Sequence, residues 1–281
     1  MLASRVRPSP IAGHWYPGDP KVLASMVDRM LEEGLRALPP LEGEVLGVIA
    51  PHAGIRYSGP IAGRAFAAVV GRTYDLVALV GPMHYPFDAP FLTTAHEMYD
   101  IPFGTIPVAR HALKALDALL QQRLGYGLTY VANDPEHSLE MELPFLRRAL
   151  QGPFSLLPLM VRTVEPYPLQ VLGESLAEVL REPRALLVAS TDLSHYFPDE
   201  AARLLDQEMI RRIEAMDPLA VLRAEEEGVA YACGRAAVAA VLWAARALGA
   251  RKVVSLGYAT SGDTSGDYSA VVGYYAAAIL A

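Results

Sequence analysis

Three histidines in this chain fall just beyond short apolar runs. His52 follows Val45-Leu46-Gly47-Val48-Ile49-Ala50 and Pro51. His84 follows Leu76-Val77-Ala78-Leu79-Val80 and Gly81-Pro82-Met83. His195 follows Ala185-Leu186-Leu187-Val188-Ala189 and the polar stretch Ser190-Thr191-Asp192-Leu193-Ser194. An imidazole titrates near neutrality and carries a lone pair, so it suits proton transfer and metal ligation alike. Taken singly, each histidine also reads as a structural hydrogen-bonder. His195 is read as an acid/base group or a further ligand. Asp192 could orient that imidazole, or cap a helix beginning near Pro198.

Cys233 is the only cysteine and stands just before an apolar helical stretch, Arg235 to Leu242. The positive end of a helix favours thiolate, the form that binds metal or attacks an electrophile. The bland reading is a small buried apolar residue. Glu136-His137-Ser138-Leu139-Glu140-Met141-Glu142-Leu143 is dense in titratable groups. At helical spacing His137, Glu140 and Leu143 share a face, as do Ser138 and Glu142. That spacing allows one carboxylate to point inward, or a solvated first turn. Ser261-Gly262-Asp263-Thr264-Ser265-Gly266-Asp267 reads as a plain turn rather than a cation loop, since its acids miss the EF-hand register. No GxSxG, HExxH, Walker A or GxGxxG pattern occurs, which removes the usual marks of serine hydrolases, zincins and simple nucleotide sites.

The elements that must position these groups alternate. Hydrophobic spacing predicts a helix over 21–37 closed by Pro39-Pro40, a strand at 45–50, a helix over 60–70 and a strand at 75–80. A helix over 107–121 is expected to open on Pro107, and one over 137–150 to be kinked by Pro144. Then come a strand at 154–161, a helix at 168–181, a strand at 185–190, helices at 200–215 and 234–248, and strands at 252–259 and 269–279. This alternation predicts an α/β fold: one domain over 1–281, with a largely parallel or mixed central sheet flanked by helices. If the strands carrying His52, His84 and His195 are parallel neighbours, their imidazoles open on one sheet edge, where such folds place ligands.

Composition narrows the classes further. The 281 residues are 52% hydrophobic and 20% charged, so a large core can be buried, and the net charge of −7 comes without a dense Lys/Arg cluster. Nucleic acid is therefore not the expected partner. No apolar run reaches the roughly 18 residues of a membrane span, and Met1–Arg5 lacks the apolar core of a signal peptide. A single cysteine forbids an intrachain disulfide, and a cytoplasmic location is expected.

Taken together, Ala12-Gly13-His14-Trp15-Tyr16-Pro17, Pro51-His52-Ala53-Gly54, Tyr57-Ser58-Gly59, Gly81-Pro82-Met83-His84, Glu136-His137-Ser138-Leu139-Glu140, Asp192-Leu193-Ser194-His195, Ala232-Cys233-Gly234 and Ser261-Gly262-Asp263 resemble, in order, the motifs of the Memo family. Its microbial members are called protein B of the AmmeMemoRadiSam system. The likeness runs from about residue 8 to the C-terminus. It implies a fold similar to the class III extradiol (LigB-type) dioxygenases, which use non-haem iron. It also implies that His52, His84 and Cys233 occupy the metal-site positions and His195 the acid/base position. Where the family usually reads Gly-Pro-Ser-His-His, this chain has Met83 and Tyr85.

The extradiol enzymes ligate iron with two His and a carboxylate; Cys233 in the third place is softer and favours Cu(I), Zn or Fe with a shifted potential. The resemblance thus implies an iron or copper protein, with zinc as a third candidate, of redox or oxygenase-like activity. His195 and Asp192 would be its proton-handling pair. It also implies radical SAM and AMMECR1-like partners. A second reading is a peptide- or protein-binding module in a dioxygenase-like pocket, with His14, Trp15 and Tyr16 helping to line it. A third is a metal-free enzyme in which Cys233 attacks and His195 is the base.

Overall fold

The computed structural model describes residues 5–181 and 184–281; of the N-terminal stretch Met1–Arg5, only Arg5 falls within them. In chain order the elements are β1 (Val6–Arg7), α1 (Pro20–Ala37), β2 (Val45–Ala50), α2 (Ile55–Ala67), β3 (Leu76–Pro82), β4 (Phe91–Thr94), β5 (Met98–Ile101), β6 (Gly104–Pro107) and α3 (Arg110–Leu124). Next are β7 (Thr129–Val131), a 3-10 turn (Glu140–Glu142), α4 (Leu143–Ala149), β8 (Ser155–Val161), α5 (Pro166–Leu180), β9 (Ala185–Ser190) and β10 (His195–Phe197). The chain then forms α6 (Asp199–Glu214), α7 (Pro218–Arg223), α8 (Arg235–Ala247), β11 (Lys252–Thr260), α9 (Gly262–Ser265) and β12 (Val271–Leu280).

The main sheet runs β10-β12-β2-β9-β3-β8-β4-β7, with β11 also paired to β12. Its centre, β2-β9-β3-β8, is parallel; β12 runs antiparallel to β2, and β4 antiparallel to β8. The sheet is therefore mixed, with a parallel heart. Strands buried on both faces read as continuous apolar runs rather than alternating ones, and every residue of β3 is buried. Ala50 lies beside Ser190, and Val80 beside Ala189. The C-terminal ends of β2, β9 and β3 thus lie side by side, with β9 in the middle.

Two helix layers flank the sheet. In one, α1 packs on α2 and α4; in the other, α8 packs on α5 and α7. Asp19 caps α1 by accepting from Lys21 N and Val22 N, which satisfies donors the first turn leaves free. A Cβ at Gly63 of α2 would lie 2.5 Å from Met30 O of α1, so glycine sets how closely these helices approach. Helix α8 is buried from Ala236 to Ala245, matching its near-continuous apolar sequence. A smaller sheet, β1-β5-β6, sits apart from the main one. Among the described residues, no helix is long and apolar enough to cross a membrane.

Three expected elements are placed differently. The helix expected over 60–70 starts at Ile55, behind Gly54, and carries Pro60 inside it. The helix expected to open at Pro107 begins at Arg110, because Pro107 ends β6, where Gly104–Pro107 pairs with Met98–Ile101 as a hairpin. The helix expected over 137–150 is a 3-10 turn followed by α4. Pro144 lies in the first turn of α4, where its missing N–H costs nothing and no kink results.

Candidate metal centre

His52 lies two residues past β2. Its backbone N–H and that of Ala53 donate to Asp192 Oδ1 at 2.9 and 3.3 Å, tying the turn after β2 to the loop after β9. The ring is 1% exposed, and its Nδ1 lies 2.8 Å from Ser190 Oγ, at the end of β9. Burial, with the nearby His137 and His84, holds His52 well below its ordinary pKa, so the ring is neutral. Its Nε2 faces Cys233 Sγ at 3.3 Å.

His84 lies two residues past β3, and its Nδ1 is 2.9 Å from Glu136 Oε1. Glu136 also accepts from the backbone N–H of His84, His137 and Ser138, at 2.5, 2.9 and 2.8 Å. Burial alone would raise the Glu136 carboxyl, but His84 and these N–H donors outweigh it and bring it down to about 2. Glu136 is thus an anion that engages His84 through Nδ1, which leaves Nε2 as the ring atom available to a metal. Such carboxylate–histidine pairs orient ligating imidazoles.

Cys233 is delivered by the turn before α8. Its N–H donates to Asp192 O at 3.2 Å, and Asp192 N–H donates to Sγ at 3.3 Å. The next residue, Gly234, donates to Thr191 Oγ1 at 2.9 Å, and a Cβ there would meet Ser190 O. That close approach needs glycine. Burial, with the Asp192 carboxyl, pushes the Cys233 thiol up, opposite to the thiolate its place before a helix leads one to expect. A nearby cation would reverse this, since a coordinating thiol is deprotonated.

One ligand atom from each of His52, His84 and Cys233 lies within 4.8 Å of the others. Two imidazole nitrogens and one sulfur fit a transition-metal ion of intermediate to soft character. His137 joins from the segment before the 3-10 turn. Its ring stacks on His84 at 4.6 Å and against Trp15 at 4.1 Å, and burial takes it down to about 4. His84, Glu136 and His137 form a second group of close donor atoms.

The remaining residues divide differently from the sequence expectation. His195 neighbours the cluster but stands outside both groups. Its Nδ1 donates to Leu193 O at 2.7 Å, so a backbone carbonyl, not Asp192, orients it. Asp192 is spent on the N–H groups of His52 and Ala53 and does not cap α6, whose N-cap is Pro198. Its Oδ2 lies 3.9 Å from His52 Nε2, and burial raises its carboxyl to about 7.

Tyr16 does not line the pocket; it is buried, with its hydroxyl on Glu140 at 2.6 Å, while His14 is exposed. Glu140 faces Arg7 at 2.7 Å, away from the cluster. Tyr85 is exposed and Met83 buried. In the Ser261–Asp267 segment, whose middle winds into the single-turn helix α9, Asp263 serves Arg203 and Thr260 N and Asp267 serves Ser269, so these acids are engaged locally. Glu136 and Ser190 were missed as supports. The signal for Glu136 was its place beside His137; Ser190, a common residue at a strand end, gave none.

A model of the family described as "Memo-like protein" matches residues 7–278. The chain is 33% identical to a MEMO1 family protein of Methanopyrus kandleri, over 95% of this chain and 96% of that one. It is similarly related to MEMO1 family proteins of Nitrosopumilus maritimus (30%, over 96% and 98%) and Aquifex aeolicus (32%, over 96% and 97%).

Proposed function

This chain belongs to the Memo family, and from that premise we propose that it binds a single iron or copper ion, with zinc a third candidate, on His52, His84 and Cys233. What carries the reading is the convergence of two imidazoles and a thiol within 4.8 Å at the ends of two strands and the start of a helix. Bound iron or copper would supply redox or oxygenase-like chemistry at the sheet edge, whereas zinc would act only as a Lewis acid.

The surrounding residues have separate tasks. Glu136 orients His84 through Nδ1. The His84 ring stacks on His137, which in turn meets the tilted ring of Trp15, so the three line one side of the site. His195, with Nδ1 given to Leu193 O, keeps Nε2 as a proton acceptor. Asp192, raised to about 7, exchanges a proton near neutral pH. Radical SAM and AMMECR1-like partners belong to the same proposal, as does a small molecule or peptide in the pocket.

Metal analysis of protein purified without chelator, then reconstituted, tests this. Stoichiometric iron, copper or zinc is expected in wild type and lost in His52→Ala and Cys233→Ser. Equal metal content in all three would refute it. A peptide-binding reading has its own support: Trp15, Tyr85 and Tyr196 are exposed beside His137, His84 and His195, and exposed aromatics anchor partners. Retention of the same partners by the metal-free Cys233→Ser protein would favour it.

A further inference from the structure

Behind His52 lies an acid that metal ligation does not use. Glu142 ends the 3-10 turn and is completely buried. Its Oε1 is 2.7 Å from Ser190 Oγ, while Oε2 has no hydrogen-bond partner among the described residues. Ser190 Oγ is also 2.8 Å from the Ser138 carbonyl and 2.8 Å from His52 Nδ1. A hydroxyl has one proton and two lone pairs, and here it has three neighbours.

The carbonyl can only accept. If Ser190 gives its proton to Ser138 O, its two lone pairs are filled by an N–H from His52 and an O–H from Glu142, and no acceptor faces an acceptor. If Ser190 donates to an ionised Glu142 instead, its oxygen faces the Ser138 carbonyl without a proton, and a bare anionic Oε2 is buried. If it donates to His52 Nδ1, the carbonyl is again unsatisfied. Buried acceptor–acceptor contacts and unpaired buried charge are both costly.

We infer that Glu142 is a neutral carboxylic acid which, through Ser190, holds His52 as its Nδ1–H tautomer and so keeps the Nε2 lone pair facing Cys233. Glu142 and Ser190 are positioning residues for the proposed metal site, and their role there rests on that proposal. Burial, reinforced by the charge of Asp192 and only partly offset by the Ser190 hydrogen bond, pushes Glu142 well above the carboxylate range in the same sense. The tautomer matters because the alternative places a proton on Nε2, where the lone pair is needed.

Two measurements on the metal-free full-length chain test the inference directly. Long-range proton–nitrogen correlation of His52, assigned by its loss in His52→Ala, is expected to show Nδ1–H in wild type and in Glu142→Gln, whose amide N–H replaces the acid O–H. Ser190→Ala is expected to shift the ring toward Nε2–H. An infrared difference between wild type and Glu142→Gln is expected to show the carbonyl band of a protonated acid. An Nε2–H ring in wild type, or no acid band, overturns the inference.

Titration with Co(II) then reads the consequence for the site. Glu142→Gln should bind like wild type, and Ser190→Ala and Glu142→Leu about 10–100-fold more weakly. If wild type gives no thiolate-to-cobalt band, the metal proposal fails while the tautomer result stands. If cobalt binds wild type and Ser190→Ala alike, the positioning role fails while the metal proposal stands.

Discussion

Asp192 shows how much one side chain's surroundings decide. Its carboxyl ionises at an ordinary 3.8 when unfolded and at about 7 in the fold. Between those values the folded state holds the extra proton, so this group's stabilising contribution is full at low pH and lost as pH rises through 7. In metal-free protein, Asp192→Asn should therefore gain stability relative to wild type between about pH 5 and 8, on the order of 2–3 kcal/mol. Urea unfolding at both pH values measures it; parallel pH dependence in the two proteins would rule it out. Partly buried His137, at about 4, acts oppositely: its contribution is present above 6.5 and lost as pH falls toward 4. His137→Phe should flatten the acid limb of the stability curve. At this scale His52, His84 and Cys233 were legible because histidines past apolar runs and a lone cysteine before a helix carry chemistry in their type. Asp192 was misassigned to His195, because neighbours in sequence at a turning loop need not be neighbours in space.

Among the elements, the two-residue strand β1 has the widest effect. Arg7 is 2% exposed and reaches Asp134 at 2.8 Å and Glu140 at 2.7 Å, and it donates to the Glu136 carbonyl at 2.7 Å. It therefore pins the segment that carries Glu136 and His137. Arg7→Met strands two buried carboxylates and should cost about 3–5 kcal/mol in urea unfolding. Adding Glu140→Gln should recover part of that loss; simple additivity would count against the pinning. Helices α1 and α2 pose a contest of signs. Gly63→Ala would ordinarily stabilise a helix by up to about 1 kcal/mol. Here the new Cβ would lie 2.5 Å from Met30 O, and overpacking of about 1–3 kcal/mol wins. A lower melting temperature is the expected outcome. The long amphipathic and apolar elements, α1, β2, β9 and α8, were legible because their burial is written in hydrophobic spacing. The β5–β6 hairpin and the 3-10 turn were not, since short pieces are fixed by tertiary pairing rather than local propensity.

For the molecule as a whole, the alternation of strands and helices foretold the α/β class and the parallel centre. It allowed for a mixed sheet but did not say which strands run antiparallel, because strand order across a sheet is set by packing between distant segments. The edge where β2, β9 and β3 end is the part of this architecture most exposed to a failure of assembly. Cys233 and His52 touch across a separation of 181 residues, so the cluster exists only once the sheet and α8 have come together. In kinetic language, contacts of such high order form late, after the loop-closure entropy has been met. Any ion captured there then acts as a fastener across most of the chain, raising native-state stability by mass action. The melting temperature should accordingly climb with the concentration of the ion supplied, by an amount set by its affinity for the folded chain.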